Sequence, residues 1–387
     1  MQIAVVNRTS RINAGHLWVF SNELAESPKR LAPGSIVELR DRKDGFLGVG
    51  YCNPNSLISI RILSREARPI DAAFFRERME DALVYRRRFT RDTNSFRAVY
   101  SEGDRLPGLV IDKYEDCISI QFLTLGMEAL SGMVIEAVEA VFAPSCIVLR
   151  NDSPIRGLEG LPLEKKVIKG SLERLPVVRE GTTIYEVDPL AGHKTGFFLD
   201  QSANRRAFSR IVGEGAGLDL FCYTGPWSIK LAQAGATVTG VDSSETAVAQ
   251  ARKNAGLNNL SGKCSFVKSD VFEFVKNEAA AGRKYDYIVL DPPAFVKSKA
   301  RIKEAVKAYR KINAAAMGLL KPHGLLATAS CSHHIDRQTF IEIVSAASRD
   351  ARKFIRVIEM RGQSPDHPVS LNVPETEYLK CVLMEVN

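Results

Sequence analysis

The stretch LDLFCYTGPWS, Leu218 to Ser228, decides how the second half of the chain is read. A short apolar run carrying an acid reads as a strand, Thr224-Gly225 supplies a tight turn, and Pro226 suits the first position of a helix. A dinucleotide-binding fold would need G-x-G-x-x-G directly after that strand, because the glycines let a pyrophosphate approach the helix N-terminus. Here the glycine-rich GEGAG precedes the strand and only Gly225 follows it, which disfavours NAD.

Outward from this stretch, strand and helix alternate. PWSIKLAQAGA reads as a helix, followed by the strand–helix pairs TVTGVD and SETAVAQARKNAGL, SFVKSD and VFEFVKNEAAAG, YDYIVLD and KEAVKAYRKINAAAMGLL, GLLATAS and DRQTFIEIVSAASR. KFIRVIEM and YLKCVLMEV supply two final strands. Such alternation predicts an α/β, Rossmann-like domain with a parallel sheet wrapped by helices, and ligands at the carboxyl ends of the strands.

Those ends carry acids. Asp219 lies on the first strand, Asp242 closes the second, where a carboxylate can accept both hydroxyls of a ribose, and Asp270 closes the third, placed to meet an adenine amino group. With the turn through Thr224 and Gly225, this array suits a cofactor with an adenosine and a cationic amino-acid end but no phosphate. S-adenosyl-L-methionine has that shape. Each aspartate also has a plainer role as a turn or helix-cap residue; three at consecutive strand ends favour the cofactor.

The fourth strand ends in DPPAF, Asp291 to Phe295. Its prolines remove two backbone donors and fix an extended turn that can present a carboxylate and carbonyls to a planar base. Cys331 ends the fifth strand, in ATASCSHHID. Carbon 5 of a pyrimidine is too weak a nucleophile to take a methyl group directly. A thiolate adding to carbon 6 makes it one, and Asp291 can hydrogen-bond or protonate the base's Watson–Crick edge to favour that addition. An ordinary thiol, with pKa about 8.5, needs local help to ionise. The plainer alternative for Cys331 is a packed core thiol, and His333 and His334 read as surface at a helix start.

The first hundred residues hold 17 Lys+Arg against 11 Asp+Glu, and 15 of the 17 are arginine, whose planar fork suits phosphate. An anionic partner, RNA or DNA, follows, with a solvated, salt-bridged surface as the alternative for a cluster such as Arg86-Arg87-Arg88. Residues 1–70 read as short strands of a small barrel (SIVELRD, FLGVGYC, LISIRIL), 71–172 as an α+β unit, and 173–387 as the alternating domain. The seven cysteines stand singly, which argues against a disulfide framework or a structural metal. No signal-peptide pattern opens the chain and no apolar tract is long enough to span a bilayer, so a cytoplasmic location is expected.

These residues resemble a known family, the class I methyltransferases that make 5-methylcytosine in large-subunit ribosomal RNA and carry an N-terminal PUA domain. RINAGHLWVFSNEL is similar to the opening of that PUA domain, SEGDRLPGLVIDKY to its central domain, and GHKTGFFLDQSANR to the entry of its catalytic domain. LDLFCYTG, GVDSS, DPPAF, SCS and PETEYLK match its later motifs in order. The resemblance implies an RNA-binding barrel, a linking α+β domain and a seven-stranded, mostly parallel sheet whose last strand is antiparallel. It also implies Cys331 as nucleophile, Asp291 at the base, Gln201 and Phe221 with the other strand-end residues at the cofactor, and a homodimer. One departure is Pro226-Trp227-Ser228, where a small residue and Phe are usual. Two alternatives remain: methylation of an exocyclic amine, which needs no thiol, and a non-catalytic RNA-binding protein of ribosome assembly.

Overall fold

Between Ala216 and Val386 seven strands hydrogen-bond into one sheet. In chain order they are β1 (Ala216–Leu220), β2 (Thr237–Asp242), β3 (Cys264–Lys268), β4 (Tyr285–Leu290), β5 (Leu320–Ser330), β6 (Ile355–Arg361) and β7 (Lys380–Val386). Their order across the sheet is β3-β2-β1-β4-β5-β7-β6, and β7 runs antiparallel to both its neighbours. The computed structural model describes residues 1–192, 195–295 and 301–387, so His193 and Lys194 of GHKTGFFLDQSANR lie outside the described residues.

The helices are α1 (Ser202–Ser209), α2 (Pro226–Gln233), α3 (Glu245–Leu257), α4 (Val271–Ala280), α5 (Ile302–Gly318) and α6 (Arg337–Asp350). Strand alternation sorts side chains between the two faces. Leu218, Leu220, Ile288, Leu290 and Leu326 point into one core with Val275 of α4, Tyr309 of α5 and Phe340 of α6. Asp219, between two of those leucines, therefore points the other way, toward α2. That face is tight: a Cβ on Gly240 would stand 2.6 Å from the Phe266 ring and 3.0 Å from Ser228 Oγ.

β5 begins at Leu320, earlier than the GLLATAS run suggests. Tyr285 pairs with Leu320 but Tyr287 with Leu325, and the intervening irregularity accommodates Pro322, which has no N–H, and His323 at φ +63°.

Residues 1–181, 187–199 and 365–376 form a second compact unit. Its first sheet contains Gln2–Val6, Trp18–Phe20, Ile36–Asp41, Phe46–Cys52 and Ile58–Ser64. The terminal strand pairs parallel with Ile36–Asp41. The chain just after Trp18–Phe20 bonds back to it through Asn7 N to Glu23 O (2.7 Å) and Ala25 N to Val5 O (2.8 Å), drawing the sheet toward a barrel around Val6, Val19, Val37, Leu39, Ile60 and Ile62. A second sheet runs Glu164–Lys169, Cys146–Asn151, Cys117–Phe122, Leu109–Tyr114, Ser95–Tyr100, packed against the helix Ala72–Arg86 and against Ser131–Phe142. A buried ion pair, Arg61 Nη2 to Glu159 Oε1 at 2.8 Å, joins the two parts, with Asn53 Nδ2 also donating to Glu159 at 2.7 Å.

Arginine is partly consumed inside this unit. Arg86, first of the Arg86-Arg87-Arg88 triplet, is fully buried against Asp104 at 2.6 Å, whereas Arg87 and Arg88 are exposed.

Candidate active site

The turn after β1 is built from unusual backbone. Phe221 and Tyr223 have φ of +66° and +49°, and Gly225, capping α2, has φ +84°. A Cβ on Gly225 would also crowd Phe266 and Ala251 at 3.1–3.2 Å, so glycine is required there on both counts. The loop is tied to β2: Phe221 N and Cys222 N both donate to Val241 O, and Tyr223 N donates to Asp242 Oδ2 at 3.0 Å. Thr224 is buried, its carbonyl accepting from Asn254 Nδ2 at 3.1 Å.

Asp219 is wholly buried. Its Oδ2 accepts from Ser228 N (2.9 Å) and Ser228 Oγ (2.6 Å), while Oδ1 has no hydrogen-bond partner among the described residues. Burial pushes its pKa up to about 7 against the pull of those two bonds, and the charges of Asp291 and Asp242 add to the rise. Asp242 is half-buried, each oxygen holding one backbone N–H, from Tyr223 and Ser244, which leaves lone pairs for two hydroxyls. Asp270 lies beyond the end of β3, is exposed, and caps α4 by accepting from Glu273 N at 3.0 Å. An orphaned, buried acid beneath a half-satisfied one fits S-adenosyl-L-methionine: Asp242 would hold the ribose, and Asp219, sealed beneath the turn, would act on the cationic end through its charge.

Asp291 follows β4. Gln201 Nε2 donates to its Oδ1 at 2.9 Å and Trp227 Nε1 to its Oδ2 at 3.1 Å. Gln201 is itself held by Asn204 Nδ2 at 2.7 Å, and Asn204 by Arg361 Nε at 2.9 Å. Trp227, the departure noted in the sequence, is 3% exposed with its ring edge-on to Phe208. Its bulk is accommodated by burial and its N–H finds a carboxylate. Periodicity could not have found this pairing, because Trp227 and Asp291 lie on different elements.

Cys331 follows β5, and the strands carry it to the same rim as Asp291: Leu290, the residue before Asp291, pairs with Thr328. All six other cysteines are buried, whereas Cys331 is partly exposed. Ser332 beside it bonds to Tyr309 at 3.1 Å, hydroxyl to hydroxyl. His333 is exposed, its ring stacked on Tyr378 with centroids 5.4 Å apart, and His334 is also exposed. Phe221, on the β1 turn, meets Phe295 of DPPAF edge-on, and Phe295 packs against Tyr309 with centroids 4.6 Å apart.

The strand order with its antiparallel β7, and acids ranged along the carboxyl ends, define a class I methyltransferase fold. Comparison with known proteins agrees. Residues 7–65 match a PUA-like domain and residues 214–366 a methyltransferase domain. Solved structures similar throughout include one assigned as a methyltransferase and complexed with SAH, with TM-score 0.86 and 20% identity over 100% of both chains. Another, from Streptococcus mutans and assigned as SAM-dependent, superposes with TM-score 0.84 at 20% identity, again over 100% of both chains. Ribosomal RNA large subunit methyltransferase I of Pseudoalteromonas atlantica is 34% identical, covering 96% of this chain and 95% of that protein. The protein of that name from Klebsiella pneumoniae is 36% identical, covering 94% and 93%. The chain belongs to the ribosomal RNA large subunit methyltransferase I family.

Among the described residues, no helix is long and apolar enough to cross a membrane, and no group of three or more His, Cys, Asp or Glu could hold a metal ion.

Proposed function

We propose that this chain methylates carbon 5 of a cytosine in large-subunit ribosomal RNA through a covalent adduct on Cys331. The observation that carries the reading is the partly exposed thiol just after β5, on the rim where Asp291 follows β4. Bound S-adenosyl-L-methionine would supply a methyl carbon made electrophilic by its sulfonium. Cys331 Sγ gives an electron pair to carbon 6 of the cytosine, and the C5–C6 π pair makes carbon 5 the nucleophile. Once carbon 5 carries the methyl group, transfer of its proton to water at this partly exposed rim re-forms the double bond and expels Sγ as thiolate. Asp291, steadied by Gln201 and Trp227, holds the Watson–Crick edge of the base.

The names of the relatives support ribosomal RNA as substrate. The PUA-like domain and its exposed arginines support RNA contact mainly through phosphate and shape. The target base must leave its stack to reach the strand ends. A cytoplasmic location follows from ribosomal RNA as the substrate. A homodimer is supported by the sheet's edge strand β6, where Val357, Ile358 and Met360 are exposed beside Phe354, an apolar strip that a second copy would cover.

Methylation of an exocyclic amine would use the Asp-Pro-Pro-aromatic motif to stack the base. Phe295 instead packs within the aromatic group of Phe221, Phe272 and Tyr309, which disfavours that reading. Digestion of RNA methylated in vitro, followed by mass spectrometry against standards, separates the two. The account predicts 5-methylcytidine, and an N-methylated nucleoside would replace it with the rival.

A further inference from the structure

We propose that Lys380 is a positioning residue whose ammonium holds the Cys331 thiol in its ionised, attacking form. The proposal rests on the reading of Cys331 as nucleophile.

Lys380 opens β7 directly opposite Ser330, the residue before Cys331, in the antiparallel pairing with β5. Its side chain does not escape to solvent, the residue being only 4% exposed. Nζ donates to Ser332 O at 2.7 Å and to Tyr378 O at 2.8 Å, so the ammonium is clamped against the segment that carries the thiol. An ammonium has three donors and these carbonyls take two. Two neutral carbonyls are poor compensation for a buried charge, which calls for an anion.

Among the described residues, the ionisable groups acting most strongly on Lys380 are Cys331, Glu377, Asp336 and Arg337. Both acids have other work: Glu377 is paired with Arg337 (Nε to Oε1, 3.2 Å), and Asp336 caps α6 by accepting from Thr339 N at 2.7 Å. From α5, Tyr309 also faces the thiol, its own pKa raised mainly by burial, so it supplies no positive charge. Burial pulls the Lys380 pKa down to about 8, and Cys331 is the largest influence holding it up. The interaction is reciprocal: whatever the thiolate does for the ammonium, the ammonium does for the thiolate.

The test uses the full-length protein without RNA or methyl donor. Iodoacetamide alkylation is followed against pH, and the Cys331 peptide is quantified by mass spectrometry. Wild type should show a midpoint below the ordinary thiol value of about 8.5. In Lys380→Met, which keeps the stem and loses the charge, the midpoint should rise by about one pH unit, so that alkylation at pH 7 falls about tenfold. Lys380→Arg should restore the wild-type profile. An unchanged midpoint in folded Lys380→Met would overturn the proposal. Should that variant fail to fold, the ε-ammonium of Lys380 can be titrated by NMR in wild type and in Cys331→Ser. Its pKa should drop when the thiol is gone, and an equal value in both would also overturn the proposal. Failure of the nucleophile reading looks different: the midpoint still depends on Lys380, but no adduct forms on RNA containing 5-fluorocytidine.

Discussion

The indole N–H of Trp227 and the carboxamide of Gln201 grip opposite oxygens of Asp291, at 3.1 and 2.9 Å. One donor comes from the first turn of α2 and the other from the chain entering α1, so the acid is fixed from two sides before any ligand arrives.

Trp227→Phe keeps most of the ring and removes the N–H. A hydrogen bond to a charged group contributes about 1.5–3 kcal/mol, so a loss of stability of that order is expected. Methyl transfer should fall about tenfold, in kcat more than in KM for RNA, because the base-side acid is misplaced by part of that energy. Steady-state kinetics beside denaturant melts would check this, and wild-type turnover would detach Asp291 from the proposed role.

Asp219 should make stability depend on pH and, in its proposed role, cofactor binding as well. Its pKa is about 7 in the fold against an ordinary value of 3.8. Between those values the native state holds a proton the unfolded state has lost, so stability falls as pH rises toward 7 and levels off above it, with a slope of at most about 1.4 kcal/mol per pH unit. Asp219→Asn should lose this component and be relatively more stable at pH 8. Wild-type affinity for the cationic donor should rise as pH passes through 7, whereas the variant should bind weakly at every pH. Calorimetric titration from pH 5 to 8 measures both, and parallel profiles would contradict the assignment.

Arg61→Met leaves Glu159 buried with Asn53 and Ser56 but without its cation. Breaking a buried pair from one side costs about 3–5 kcal/mol, seen as a lower urea midpoint for this unit. A change within about 0.5 kcal/mol, the size of a typical surface substitution, would mean the pair is not dry.

Arg87 and Arg88 are the exposed members of their triplet. Replacing both with Gln should weaken RNA binding evenly across sequences and flatten its salt dependence, by about one in the log–log slope for each phosphate no longer neutralised. Arg86→Gln should instead unfold the protein more easily, since Arg86 is bonded to Asp104 and to Asp366 O. Filter binding across a salt series distinguishes the two, and unaltered binding by the double variant would remove this patch from the RNA surface.

Local pattern carries much of this architecture. The alternation after Leu218 predicts each parallel strand and its helix, because amphipathic periodicity is written residue by residue. Gln2–Val6 and Trp18–Phe20 are not legible in this way, because they are short and owe their strand form to distant partners, Ile36–Asp41 and Ile58–Ser64. The acids are visible at the strand ends, but their environments are not. Nothing local tells Asp219, sealed under Ser228, from Asp270, an exposed cap. Lys380 leaves one trace, a single cation in the apolar run YLKCVLMEV, and only the pairing of β7 with β5 connects it to Cys331.

Covalent capture tests the central claim most directly. RNA carrying 5-fluorocytidine has no proton to lose from carbon 5 after methylation, so the thiol cannot leave. With S-adenosyl-L-methionine present, wild type should form an adduct that survives denaturing electrophoresis and maps to Cys331. Cys331→Ala should form none while still binding the donor. An adduct of equal yield in the variant, or full methylation of unmodified RNA by it, would contradict the account.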